Sequence, residues 1–236
     1  MRNKKPLVLL FSLGIILGLT ACQSYPPGKR VVTYKPIVRH SQPLPYEKWW
    51  FQTYTPKYFP ASVSFVQFQD EDNYIVQKFM NDGAQSSIQS LTDWSKKLGG
   101  GAGSGVKNHG EALPLRMMIC WDSVIDKKSY QTLFEFTPEI RQLMREPAFY
   151  PGYEKQPPDY RKVIFIGLAP SGTARAWLRG IDKNNGDNIL IATGESVSGE
   201  KMTVCQGKTN VLNGYSEYPK YIQDFIKGKK YPYGEW

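Results

Sequence analysis

Alternation of apolar and polar positions predicts a protein built mainly of β-strands. Within residues 61–68, Val63 and Phe65 alternate with Ser62 and Ser64, as expected for a strand with one buried face. Seven further runs have strand character, at residues 49–54, 74–79, 115–121, 130–136, 163–166, 173–178 and 189–192. The Asn-Asn-Gly sequence at 184–186 predicts a hairpin turn between the last two runs. We therefore expect half-buried strands in an antiparallel sheet.

Three segments have the spacing of short amphipathic helices, with apolar residues three or four positions apart. They cover residues 87–98, 137–146 and 216–227. Ser87, Thr137 and Ser216 are suitable N-caps, and Pro138 suits a first helical position. The predicted fold class is α+β, mainly antiparallel β-sheet with about three short amphipathic helices packed on it.

The N-terminus has the organisation of a lipoprotein signal peptide. A basic start is followed by an apolar or small stretch at residues 7–19, which is shorter than the roughly 20 residues that span a bilayer. The sequence Leu-Thr-Ala-Cys ending at Cys22 is a lipobox, whose thiol accepts lipid with acyl chains such as palmitate. The alternative is a membrane-anchoring helix that merely contains a cysteine. Because Gln23 stands where inner-membrane retention commonly uses aspartate, we expect anchoring in the inner leaflet of the outer membrane, facing the periplasm.

These boundaries predict three parts: a signal peptide at 1–21, a lipid-anchored tether and proline-rich lead-in at 22–47, and a single globular β-rich domain at 48–236. Losing Arg2, Lys4 and Lys5 with the signal reduces the formal charge from +9 to +6. Such a mild charge without a long basic run argues against a nucleic-acid partner. The densest basic cluster, at 227–230, suits a solvated helix end, with contact to anionic headgroups or an acidic partner as the alternative.

Two cysteines remain once Cys22 carries lipid. Cys120 and Cys205 lie in strand-like segments, 117–121 and 202–205. Two thiols in an oxidising compartment favour a disulfide. Two separate buried thiols are the alternative, since sequence does not give the Cα separation.

Catalytic and metal-binding patterns are lacking in this sequence. The glycine-rich segment at 99–105 is not followed by the Gly-Lys-Ser/Thr of a phosphate loop, and no Gly-x-Ser-x-Gly motif is present. The two histidines, His40 and His109, give little material for a triad or a metal site. The acidic run at 70–72 suits a hairpin turn, with calcium binding as a minor alternative. We therefore predict a non-enzyme without a cofactor or metal.

A set of motifs in the central part of the chain carries a family resemblance. The motifs are Leu-Pro at 113–114, Cys-Trp-Asp-Ser at 120–123, Tyr130, Ile-Gly-Leu-Ala-Pro-Ser-Gly at 166–172 and Trp-Leu at 177–178. Over about residues 48–195 the chain resembles a family of enterobacterial lipoproteins of the domain-of-unknown-function type. Some members of that family are immunity proteins for lipase effectors of type VI secretion. None of the motifs is a catalytic fingerprint, and Pro170 and Gly172 also suit a tight turn.

The resemblance implies a function in which the anchored domain, monomeric alone, binds and neutralises a protein toxin such as a phospholipase. An envelope lipoprotein with a structural or cell-wall-binding role is the alternative. Surface aromatic residues are the first contact candidates because they are common interface anchors, although packing in the sheet core also explains them. The candidates are Trp49, Trp50, Tyr231, Tyr233 and Trp236, together with Gly101, Gly103 and Ser104 of the glycine-rich segment.

Overall fold

A computed structural model describes residues 37–83, 85–86, 108–150, 152, 155–181, 187–209, 217–234 and 236. Cys22, the signal peptide, the glycine-rich segment, the first predicted helix and the predicted 184–186 hairpin turn therefore lie outside the described residues. The chain from Arg39 to Trp236 forms one compact unit.

Thirteen strands, two α-helices and two 3-10 turns occur in the described ranges. The strands are β1 Trp49–Thr55, β2 Ala61–Asp70, β3 Ile75–Gly83, β4 Gln85–Ser86, β5 His109–Gly110, β6 Pro114–Ser123, β7 Lys128–Glu135, β8 Pro147–Ala148, β9 Asp159–Tyr160, β10 Val163–Ala169, β11 Thr173–Leu178, β12 Ile189–Thr193 and β13 Glu195–Ser198. The helices are α1 Pro138–Arg145 and α2 Lys220–Ile226, and the 3-10 turns are Pro170–Gly172 and Gly199–Lys201. All eight predicted strands are present.

The strands form two large sheets and one small ribbon. The first sheet has the order β12-β11-β10-β1-β4, with β5 also paired to β1, and the second has the order β13-β7-β6-β2-β3. All pairings in the second sheet are antiparallel. In the first sheet β1 runs parallel to β10 and β4. Parallel neighbours need a crossover connection, and here four of the five strands of the second sheet, β2, β3, β6 and β7, lie between β1 and β10 in sequence. The fold is thus mainly, but not wholly, antiparallel.

The main core is formed by apolar side chains from both large sheets. Phe51, Ile164 and Leu178 of the first sheet cluster with Val66 and Phe134 of the second, all fully or almost fully buried. Apolar burial of this kind contributes roughly 25 cal/mol per Å² of area removed from water.

Three tryptophans belong to the buried part of the protein. Trp49, Trp121 and Trp177 are at most 2% exposed. The proposed surface position of Trp49 is therefore wrong, because its ring contacts Phe68 and its indole N–H donates to the Ala112 carbonyl at 2.7 Å. A buried indole keeps its hydrogen bond in this way while its rings join the core.

Two of the three predicted helices fall within the described ranges, and both are present. Helix α1 starts with Pro138 directly after Thr137, as predicted. Helix α2 begins at Lys220, later than expected. Pro219 precedes it, and proline suits a helix start because its missing N–H costs no intrahelical hydrogen bond there. The helix count among the described residues is two rather than about three.

Cys120 and Cys205 form the predicted disulfide, with 5.4 Å between their Cα atoms. The segment 202–205 is not a strand, however, but follows the 3-10 turn Gly199–Lys201. Its backbone is held by one side chain, since the Gln131 Oε1 atom accepts hydrogen bonds from the amides of Thr203, Val204 and Cys205 at 3.0, 2.8 and 3.2 Å. A strand pattern was misleading here because the apolar residues pack on the disulfide rather than in a sheet.

The acidic run at 70–72 joins β2 to β3 and also holds part of the lead-in. Asp72 accepts hydrogen bonds from the amides of His40 and Ser41 at 2.9 and 2.6 Å. Arg39 donates to Asp70 and Asp72 at 2.8 and 3.1 Å. The chain is therefore fixed to the β-rich unit from Arg39, ahead of the predicted start at residue 48.

Candidate partner-binding site

One carboxylate joins three separate segments at the turn between β6 and β7. Asp126 accepts hydrogen bonds from the Tyr231 hydroxyl at 2.8 Å, the Tyr130 hydroxyl at 3.2 Å and the Ser171 amide at 3.1 Å. These donors come from the C-terminal tail, from β7 and from the 3-10 turn that follows β10. Asp126 therefore joins the C-terminal tail to β7 and to the 3-10 turn that follows β10. We call these four residues the Asp126 cluster.

The backbone at Ser171 explains how its side chain reaches the tail. Ser171 has a left-handed conformation, with φ 66° and ψ 16°, which is uncommon for a residue other than glycine. Its hydroxyl donates to the Tyr231 hydroxyl oxygen at 3.0 Å. Gly172 follows with φ 72°, and a Cβ atom there would lie 2.6 Å from the Tyr130 ring. The Pro-Ser-Gly turn thus needs glycine for both its conformation and its contact with Tyr130.

The electrostatics of the cluster keep both phenols protonated. Burial and then the neighbouring Asp126 carboxylate raise the pKa of the Tyr130 hydroxyl. Burial also raises the pKa of Tyr231, and it outweighs the opposing hydrogen bond from Ser171. Both hydroxyls consequently remain donors to Asp126. Since Ser171 donates to a neutral phenol rather than to a base, the arrangement positions the tail and does not activate the serine as a nucleophile.

Aromatic rings pack against one another next to this cluster. Tyr58 stacks on Phe225 of α2 with 4.4 Å between ring centroids. The ring centroid of Phe59 lies 6.1 Å from that of Tyr233 and 5.4 Å from that of Trp236. The Tyr218 hydroxyl donates to the Ile125 carbonyl at 2.7 Å. These contacts attach α2 and the tail to the connection between β1 and β2, and they attach the segment before α2 to the connection between β6 and β7.

The three predicted tail residues have different roles in this arrangement. Tyr231 is 46% exposed and belongs to the Asp126 cluster. Tyr233 and Trp236 are half-buried and pack near Phe59, so they anchor the tail more than they present a surface. Tyr221 of α2, which the sequence did not single out, is 50% exposed.

Lysine side chains lie over three of the surface rings. Lys57 lies 5.1 Å from the centroid of Tyr58, Lys127 lies 4.7 Å from Tyr218, and Lys229 lies 3.7 Å from Phe225. Cation–π contacts of this kind contribute about 0.5–1 kcal/mol each where the site is exposed. They also keep positive charge directly above the aromatic surface. We call the exposed face formed by Lys57, Tyr58, Lys127, Tyr221, Lys229 and Tyr231 the tail surface.

Other predicted site residues have no place in this surface. Gly101, Gly103, Ser104 and the lipidation candidate Cys22 lie outside the described residues. Within the ranges that the structure describes, no group of three or more His, Cys, Asp or Glu residues could hold a metal ion. The helices found there are too short or too polar to cross a membrane.

The centre of the site has little signal in the sequence. Tyr130 and Ser171 stand out only as parts of motifs, and the Pro-Ser-Gly turn is the one sequence feature that indicates them. Asp126 had no distinguishing pattern, because a lone acidic residue in a hairpin turn is common.

Fold and site together define a disulfide-bonded, two-sheet protein with an aromatic and cationic surface at its C-terminal tail. The chain belongs to the DUF2931 family, described as a protein of unknown function, whose sequence model matches residues 33–234. The match confirms the resemblance to a family of unknown function and extends beyond the 48–195 region that carried it. No curated protein and no solved structure matches the chain.

Proposed function

We propose that the protein is a periplasmic lipoprotein, anchored through Cys22 in the inner leaflet of the outer membrane, that binds and neutralises a phospholipase effector of type VI secretion. The lipobox supports the anchor, and the Cys120–Cys205 disulfide suits an oxidising compartment. The observation on which partner binding rests is the tail surface.

The tail surface has the composition of a protein-binding patch. Tyrosines supply large, rigid contact area, and aromatic residues dominate the binding energy of many interfaces. Tyr221 and Tyr231 are each about half exposed, while the Asp126 cluster holds the tail below them in one position. A surface ordered before binding loses less conformational entropy on association, which favours high affinity.

Charge indicates the kind of partner face that would fit. Lys57, Lys127 and Lys229 lie over the rings of Tyr58, Tyr218 and Phe225, so the complementary face of the effector would carry carboxylates. At physiological ionic strength the Debye length is about 8 Å. These lysines would therefore increase the rate of encounter and orient the partner at close range, whereas the tyrosines would supply most of the affinity.

Lipid anchoring would place the inhibitor where a phospholipase acts. Seventeen peptide units separate Cys22 from Arg39, the first residue bonded to Asp70 and Asp72. Their fully extended length is at most about 60 Å. An inhibitor confined this close to the membrane has a raised effective concentration there, which increases capture of an effector at the same face.

The decisive experiment expresses an effector encoded beside this protein in the periplasm, with and without the protein. We expect the protein to restore survival and to co-purify with the effector. A Tyr221→Ala, Lys229→Glu double variant should reduce both, because it removes one exposed anchor and reverses one charge. Leu190→Ala on β12, a residue that is also about half exposed, is the matched control and should behave as wild type.

Two results would count against this proposal. Equal killing with and without the protein, with no complex recovered, would refute neutralisation and favour the structural envelope role. If the double variant protected cells as fully as the wild type, the tail surface would not be part of the interface. Separately, Cys22→Ser should abolish lipid attachment, and outer-membrane fractionation of that variant would contradict the anchor.

A further inference from the structure

Strand β3 forms one end of the second sheet in the described part of the chain. Its register with β2 is regular from Ile75 to Phe79 and shifts only beyond that segment. An end strand has one row of backbone N–H and C=O groups that its own sheet does not pair, and proteins usually protect such rows with proline, bulges, charged side chains such as lysine, or very short strands. The segment 75–79 contains no proline or register shift, and its one charged residue, Lys78, is two positions from Val76 and so lies on the core side of the strand, away from Ile75 and Phe79.

The side chains of this segment are unusually apolar for an exposed edge. Ile75 and Phe79 are 61% and 78% exposed. Both point to the face opposite the main core, since side chains two positions apart share a face and the intervening Val76 packs against the core. Beside Ile75 a groove of about 160 Å³ runs across the sheet, lined by Gln67, Gln69, Ile75, Arg116, Met118 and Leu133.

Two cations lie on the same face as the exposed apolar side chains. The Lys208 ammonium group lies 4.8 Å from the centroid of Phe65 and 5.4 Å from that of Phe79. Arg116 borders the groove and donates to Gln69 at 2.7 Å. Neither forms an ion pair with any residue in the described ranges. The disulfide fixes Lys208, because Cys205 is joined to Cys120 and its carbonyl accepts a hydrogen bond from the Lys208 amide.

We propose that the β3 edge, residues 75–79, binds an extended segment of a protein partner as an added strand, with apolar side chains against Ile75 and Phe79 and a carboxylate at Lys208. Main-chain hydrogen bonds to an edge supply affinity in this mode, and side chains on alternate positions supply specificity. The inference goes beyond the effector hypothesis, since it concerns a different face of the protein and any partner with such a segment.

Charge favours an acidic partner strand over a second copy of this chain. Pairing two β3 strands would place two copies of Lys208 along the same edge, with no acidic residue in either 75–79 segment. The two ammonium groups would repel each other, and neither would gain a carboxylate partner. A strand with alternating apolar and acidic residues instead places a carboxylate beside Lys208.

The test uses the purified mature protein and a synthetic ten-residue peptide of alternating valine and glutamate, with a matched valine–lysine peptide. Hydrogen–deuterium exchange of residues 75–79 is measured during titration of each peptide. We expect the glutamate peptide to slow exchange in this segment and the lysine peptide to leave it unchanged. Lys208→Glu should weaken binding of the glutamate peptide by up to about fivefold, the range for one cross-strand pair, and should favour the lysine peptide.

Two variants separate edge binding from general stickiness. Phe79→Glu should abolish protection by the glutamate peptide, since it removes the apolar contact and adds a like charge at an exposed edge position without disturbing the core. Leu190→Glu adds the same charge on β12, the end strand of the other sheet, and should bind like wild type. The proposal is overturned by unchanged exchange with the glutamate peptide at millimolar concentration, by equal protection from both peptides, or by equal loss in the Leu190 variant. Concentration-dependent protection without peptide would identify a second copy as the occupant and also overturn it.

Discussion

Removal of the Cys120–Cys205 disulfide, the one covalent cross-link in the described part of the chain, is expected to lower the free energy of unfolding substantially. The bridge joins β6 to the segment after the 3-10 turn Gly199–Lys201, across a sequence separation of 85. The perturbation is the double variant Cys120→Ala, Cys205→Ala. Alanine is preferred to serine because both positions are fully buried, and a buried hydroxyl without a partner would add its own cost.

The expected loss follows from the size of the loop. In the chain-entropy model a loop of this length raises the free energy of unfolding by about 4.5 kcal/mol, through restriction of the unfolded chain. Part of the segment remains held in the variant, because Gln131 still accepts the amides of Thr203, Val204 and Cys205. These hydrogen bonds act in the folded state and do not restrict the unfolded chain. We therefore expect a loss of about 4 kcal/mol, or a Tm lower by about 10 °C for a domain of this size.

Urea unfolding followed by tryptophan fluorescence measures this loss, with reduced wild type as the control. The reduced protein should unfold at the same midpoint as the double variant. Both should show a steeper dependence on urea, since an uncrosslinked chain exposes more surface when unfolded. A loss below about 1 kcal/mol would refute the entropic argument, because it would mean that the bridge does not restrict the unfolded chain as the loop length predicts.

Three further predictions concern single residues. Tyr231→Phe removes the hydrogen bonds of this hydroxyl with Asp126 and Ser171, which stabilise the tail locally by about 1–2 kcal/mol, so the tail amides should exchange faster with solvent. The hydroxyl of Tyr233 bonds to no described residue, so Tyr233→Phe should leave those exchange rates unchanged. Gly172→Ala should lower the free energy of unfolding by about 2–4 kcal/mol, because of its left-handed φ and the overlap of a Cβ atom with the Tyr130 ring. The control Gly199→Ala, at φ 61° with open space around it, should cost about 1 kcal/mol. Similar losses for the two variants in thermal unfolding would disprove the contact with Tyr130. Although desolvation opposes ionisation of Asp72, the Ser41 and His40 amides, the Ser41 hydroxyl and Arg39 lower its pKa to about 2. The wild type should therefore exceed Asp72→Asn in free energy of unfolding by its full amount above about pH 4, and this difference should decline toward pH 2. A constant difference across that range would contradict the prediction.

Local pattern was sufficient to find the long strands but not the short ones. The eight predicted runs contain enough apolar or β-branched positions to show a period. Strands β4, β5, β8 and β9 have two residues each and can show none. Strand β13 was missed because its sequence, Glu-Ser-Val-Ser, has one apolar residue and pairs at the edge beside β7.

Long-range relations explain why most of the candidate site was not predicted. The tail aromatics were recognisable by composition, and the Pro-Ser-Gly turn by its residues. The role of Asp126 depends on Tyr231 and Ser171, which lie 105 and 45 positions away, so no local pattern contains it. The parallel pairing of β1 with β10 is hidden for the same reason, since neither strand carries information about its partner's direction.

The pairing of β1 with β10 determines the order in which the protein can fold. Trp50 lies opposite Val163 and Tyr54 opposite Gly167, so one centre of the first sheet joins residues more than a hundred positions apart. Contacts at such separation form slowly, because a long loop must close before they stabilise anything. An N-terminal fragment that ends before Val163 leaves Phe51 without its neighbours on β10. A growing chain therefore cannot complete its core until β10, more than a hundred residues after β1, has been synthesised.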